Sequence, residues 1–149
     1  EKTGHCFLKD NQGLTILELP SLRILGTYGL YYSVSLSKLY APKLEKIGYK
    51  VMSNNQNLTE LILPSLQEVG DNFLSENKKL KTFRAPKLKT IGGRFLASNT
   101  ELTDFVVKNK DMLHKYNRLI LAKNKSKQKL NIFSKKLNTL IYNQTQKQN

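Results

Sequence analysis

The 149-residue chain has no tryptophan, two histidines, four prolines and a single cysteine. One thiol, Cys6, cannot build a disulfide framework or a thiolate zinc site. His5 and His114 stand at opposite ends of the chain, in no spacing that binds a metal or forms a catalytic triad. Cys6 follows His5 directly, but adjacent side chains seldom point at one another, and nothing nearby orients the imidazole. No apolar run approaches the ~18 residues of a membrane span. Gly92-Gly93 is not followed by the Lys-Ser/Thr of a phosphate loop. Asn57-Leu58-Thr59 and Asn124-Lys125-Ser126 match the glycosylation acceptor, a short motif on which little rests. These shortages predict a non-enzymatic protein, with no cofactor, no metal and no small-molecule substrate. Acid is scarce too, with 25 Lys and Arg against 11 Asp and Glu and a formal net charge of +14. Such a charge attracts nucleic acid, anionic membrane or acidic protein, but it specifies no fold. The numbering opens at Glu1 without an initiator Met, which suits a mature form or a fragment.

What the chain has in abundance is repetition. Its four prolines, Pro20, Pro42, Pro64 and Pro86, stand 22 residues apart each time. Three residues before each stand Leu17, Leu39, Leu61 and Phe83. One before stand Leu19, Ala41, Leu63 and Ala85. Two after stand Leu22, Leu44, Leu66 and Leu88, and five after stand Leu25, Ile47, Val69 and Ile91. Gly26, Gly48, Gly70 and Gly92 follow, then Leu30, Met52, Leu74 and Leu96. The last two columns are Ser33, Asn55, Asn77 and Asn99, then Leu36, Leu58, Leu80 and Leu102. A half repeat with Phe105 and Val107 closes the series, and Lys108 takes the place of the next proline.

Each column has a physical role. The two apolar residues before Pro alternate with period two, so both face inward from a short strand. Pro ends that strand without costing a ladder bond. Gly supplies either a turn of positive φ or a close backbone approach. A buried Asn amide can bridge backbone groups of its own bend and of the next coil. Ser33 is shorter, which predicts a looser first coil. One unit cannot bury its own apolar face, whereas stacked units share a continuous core. The expected fold is an α/β repeat: a right-handed solenoid of 22-residue coils with parallel strands on one face. The expected organisation is an N-terminal cap over 1–13, a solenoid over 14–107, and a basic helical tail or C-terminal cap over 108–149.

Segments such as LILPSLQEVGDNFLSENKKL (61–80) and FRAPKLKTIGGRFLASNTEL (83–102) resemble the BspA-like leucine-rich repeats of bacteria and some protozoa. The Pro, the Ile-Gly pair and the Asn position carry the likeness over about residues 14–107. This unit is one residue shorter than the common form, and Asn stands where that family often has Cys. The aromatic before the apolar residue of the far side appears only as Phe73 and Phe95, with Gly29 and Val51 in the other turns. The resemblance implies a curved solenoid that binds other proteins. It also implies a secreted, cell-surface or host-delivered protein rather than a cytoplasmic one.

The period also assigns the outward strand positions, four and two residues before each Pro. They are Ile16 and Glu18, Lys38 and Tyr40, Glu60 and Ile62, Thr82 and Arg84, Asp104 and Val106. Exposed apolar residues among charges of both signs suit a protein contact. The partner-binding candidates are Lys38, Tyr40, Glu60, Ile62, Thr82, Arg84, Asp104 and Val106. Tyr28, Tyr31, Tyr32 and Tyr40 cluster in the first coils, either as a contact patch or as a plug for the N-terminal end of the core.

From Lys108 the pattern changes to helical spacing. Met112, Leu113, Tyr116, Leu119 and Ile120 form one amphipathic face, and Leu130, Phe133, Leu137, Leu140 and Ile141 form a second. Residues 108–149 hold eleven Lys and Arg and one acid, Asp111, and so carry most of the net charge. A pair of helices covering the open solenoid end is the first expectation. The alternative is a basic segment that docks on anionic membrane or nucleic acid through Lys123, Lys125, Lys127, Lys129, Lys135 and Lys136. A dimerising helix pair, or a fragment of a larger effector whose catalytic part lies elsewhere, completes the alternatives.

Overall fold

The computed structural model describes residues 1–109, and they form a stack of coils. Two parallel ladders run along it. The first is built from three-residue strands: β1 (Ile16–Glu18), β3 (Lys38–Tyr40), β5 (Glu60–Ile62), β7 (Thr82–Arg84) and β9 (Asp104–Val106). The second is built from two-residue strands: β2 (Ile24–Leu25), β4 (Lys46–Ile47), β6 (Glu68–Val69) and β8 (Thr90–Ile91). The register steps by one repeat, with Leu61 beside Phe83 and Phe83 beside Phe105.

The chain turns between the ladders at its prolines. The Leu22 amide donates to the Leu19 carbonyl at 3.2 Å, and the equivalent bond recurs from Leu44, Leu66 and Leu88. Pro therefore sits at the second position of a β-turn, where its fixed φ is already correct. The columns read from the sequence form the core. Leu36, Leu44, Leu58, Leu66, Leu80 and Phe83 are all fully buried. The C-terminal half of the core is aromatic: Phe83 lies 6.0 Å from Phe73, 5.6 Å from Phe95 and 6.0 Å from Phe105, centroid to centroid.

The Asn column joins the coils from inside. The Ser33 amide donates to Asn55 Oδ1 at 2.7 Å, and the Asn55 amide to Asn77 Oδ1 at 2.9 Å. Asn77 Nδ2 donates to the Met52 carbonyl and Asn99 Nδ2 to that of Leu74, each 25 residues back and at 2.8 Å. The Ser33 hydroxyl makes the same contact with Leu8 at 2.7 Å. Serine thus keeps the donor role of the column.

Of the two roles open to the glycines, close approach is the one they serve, since no glycine has positive φ among the described residues. A Cβ on Gly92 would lie 2.3 Å from the Asp71 nitrogen and 2.4 Å from the Gly70 carbonyl carbon. The left-handed conformation falls instead on bulky residues of the far side. Leu8, Leu30, Met52, Leu74 and Leu96 have φ of 50–55°, and residues two before and two after each are left-handed as well. That conformation costs an ordinary residue about 1–2 kcal/mol. It is held because the alternating backbone groups bond to both neighbouring coils. The Tyr28 amide donates forward to Tyr49, the Leu30 amide back to Phe7, and the Tyr32 amide forward to Ser53.

Residues 6–10 repeat these turns, with Cys6, Leu8 and Asp10 left-handed and Lys2 bridged to Ile24. Asn11 stands in the Asn column, and its Oδ1 accepts from the Leu14 amide at 2.8 Å. The amphipathic helices expected after Lys108, with Lys123, Lys125, Lys127, Lys129, Lys135 and Lys136, lie outside the described residues.

Candidate partner-binding face

A three-residue strand with one inward side chain must present its first and third residues outward. The burial follows that rule. Leu39 and Leu61 are buried in β3 and β5, and Lys38, Tyr40, Glu60 and Ile62 are exposed. In β7 and β9, Arg84 is exposed and Thr82, Asp104 and Val106 are half-buried. All eight candidates lie on this one face, but its two halves differ.

The half built from β7 and β9 is paired with itself. Arg84 Nε donates to Asp104 Oδ2 at 2.9 Å, and its Nη2 donates to the same oxygen. The Asp104 carboxylate raises the Arg84 pKa above its ordinary value, with a smaller contribution from Glu60. The half built from β1, β3 and β5 is a groove of about 460 Å³, lined by Ile16, Glu18, Lys38, Leu39, Tyr40, Pro42, Glu60, Ile62 and Pro64. Ile16 is 55%, Tyr40 57% and Ile62 44% exposed. Glu18, Lys38 and Glu60 make no ion pair among the described residues. On the second ladder, by contrast, Arg23 pairs with Glu45 at 2.6 Å and Lys46 with Glu68 at 3.1 Å.

The groove lies over a break in the first ladder. Backbone hydrogen bonds join β1 to β3, β5 to β7 and β7 to β9, but none joins β3 to β5. The Leu19, Leu63 and Ala85 amides each donate to the next coil, at 2.8 to 2.9 Å, and the Ala41 amide makes no such bond. The second ladder stays continuous through the same two coils.

The tyrosine group expected in the first coils divides. Tyr40 lies in the groove. Tyr28 and Tyr31 meet edge to face on the opposite side of the coil, joined there by Tyr49, with Tyr32 tilted against Tyr31. Lys9 and Lys50 lie over these rings. A hydrogen bond to Tyr49 raises the Lys50 pKa, and the charges of Tyr49, Tyr28 and Tyr31 add to it. Tyr28 and Tyr31 are half-buried and Tyr32 and Tyr49 exposed, so they do not plug the core. Tyr49 escaped the sequence reading because it stands in the next coil, 21 residues after Tyr28. The 22-residue period aligns it with Thr27, the neighbour of Tyr28, and that was the signal that could have placed it nearby.

Among the described residues no group of three or more His, Cys, Asp or Glu could hold a metal, and no helix is long and apolar enough to cross a membrane. Cys6 is free and exposed.

The family model of the BspA type leucine rich repeat region matches residues 4–146 in six copies. No curated protein and no solved structure matches the chain. The match begins before the first proline repeat, at the half coil that carries Gly4, Leu8 and Asn11 in column register. Such repeats form interaction scaffolds, and the parallel 22-residue coils are that architecture. The chain belongs to the BspA type leucine rich repeat family.

Proposed function

We propose that the chain is a non-enzymatic protein-interaction module that binds its partner through the outward strand residues, centred on the groove over β1, β3 and β5. One observation carries this reading. Of the five exposed large hydrophobic side chains among the described residues, three (Ile16, Tyr40 and Ile62) share that groove. Scattered exposed apolar residues need no explanation, but a contiguous group with a charged rim marks a contact surface. Thr82, Arg84 and Asp104 extend the same face as its polar rim, with Val106 beside them. The family supports a secreted, surface or host-delivered setting for such a module.

A displayed library of short random peptides, selected on the full chain, tests the reading. Binding of the selected peptides should weaken roughly thirtyfold in Tyr40→Ala/Ile62→Ser, as for central hot spots worth about 2 kcal/mol. It should survive Tyr31→Ser/Tyr32→Ser on the opposite side. Tyr40 and Ile62 are exposed, so thermal melting should move little in the first pair, and somewhat more in the second, where Tyr31 is half-buried. Peptides that depend on Tyr31 and Tyr32 and ignore Tyr40 would place the contact on the wrong side for this reading.

A further inference from the structure

The groove also specifies the chemistry of its occupant, provided the strand face is the binding face. We infer that it takes an extended peptide segment with two cationic side chains four residues apart and an apolar side chain midway between them.

The charge pattern fixes the cations. Across the strand order the unpaired groups run Glu18 on β1, Lys38 on β3 and Glu60 on β5. The chain as a whole is strongly basic, yet the only charges that line this groove are two carboxylates and one ammonium. A bound segment gains by placing a cation near each carboxylate and none near Lys38. Glu18 and Glu60 stand two strand steps apart and are offset by two residues along the strand, so the diagonal between them is about 12 Å at ordinary ladder spacing and strand rise. An extended peptide covers that distance in about four residues, and side chains four apart share one face.

The floor fixes what lies between the cations. Ile16, Tyr40 and Ile62 are exposed around the groove, with Pro42 and Pro64 along one side. Tyr and Pro present rigid apolar surface at little entropic cost. The break between β3 and β5 gives the groove its place, since every other step of this ladder is closed by backbone hydrogen bonds. An apolar side chain over Leu39, between Tyr40 and Ile62, would be covered on three sides.

The test uses the full chain and two pools of short labelled peptides, read by fluorescence anisotropy. In one pool two lysines flank three residues, the central one a random apolar residue. In the other, glutamates replace those lysines. Wild type should bind the lysine pool about tenfold more tightly, as expected for two exposed charge contacts turned from attractive to repulsive. Glu18→Lys/Glu60→Lys should invert the preference, and both positions are exposed, so the fold should be unaffected. Equal affinity for the two pools, with binding still lost in Tyr40→Ala, would overturn the cation rule and leave the strand face in place. A lysine preference that persists in Glu18→Lys/Glu60→Lys would also overturn it. Binding of neither pool, or binding indifferent to Tyr40→Ala, would remove both this inference and the assignment of the face.

Discussion

Phe83→Ala should lower the stability of the chain by about 4 kcal/mol, in the range for a large aromatic removed from a packed core. Phe83 is fully buried and touches three other phenylalanine rings. Those rings come from the two coils on either side of it and from its own coil. Their covalent separation along the chain prevents easy collapse around the missing ring, so both the transfer and the cavity contributions are lost. The column supplies its own control. Leu17 occupies the same repeat position but is only half-buried at the end of the stack. Leu17→Ala should therefore cost about 1 kcal/mol, in proportion to the smaller area it removes from water. Denaturant titration of both variants checks the gradient. Equal costs would mean that the phenylalanines do not act as one packed unit.

Asn77→Leu should cost about 3 kcal/mol although the two side chains branch alike at Cγ. Three partners lose a bond at once: the Asn55 amide, which donates to Asn77 Oδ1, and the Met52 and Ser75 carbonyls, which accept from Nδ2. Each unpaired buried polar group costs about 1–3 kcal/mol. Asn77→Ser should be milder, because Ser33 shows that a hydroxyl in this column still reaches the carbonyl 25 residues back. Serine then forfeits mainly the acceptor for the preceding coil. The order Asn, Ser, Leu in urea midpoint, with the slope unchanged, is the expected result. A Leu variant as stable as the parent would show that the Asn ladder follows the packing rather than holding it.

The solenoid was legible because its constraints repeat. Each column must meet the same environment every 22 residues, so chance likeness is averaged away. The outward strand residues were legible for a related reason, since the period of two leaves no choice of face once the inward leucines are known. Other features left weaker traces. The second ladder has strands of two residues, such as Lys46–Ile47, too short for any alternation to show. The half coil before Leu14 holds Gly4, Phe7, Leu8 and Asn11 in register, but no proline announces it. The left-handed backbone falls on Leu30, Met52 and Leu74, where local preference points the other way. Bonds to two neighbouring coils impose it, and no single-coil pattern encodes that. The difference between a free Glu60 and a paired Asp104 also depends on the distance between coils. The sequence supplies the same two carboxylates in the same column.

The central claim concerns location: partner contact falls on the strand face over β1, β3 and β5. Amide hydrogen exchange of the full chain, with and without a peptide selected on it, tests this most directly. Exchange should slow at residues 38–41 and 59–62, where the first ladder is open, and at 16–18, its first strand. The turns at 28–32 and 49–54, on the opposite side, should exchange as before. Protection confined to those turns, with the three strands unchanged, would contradict the account.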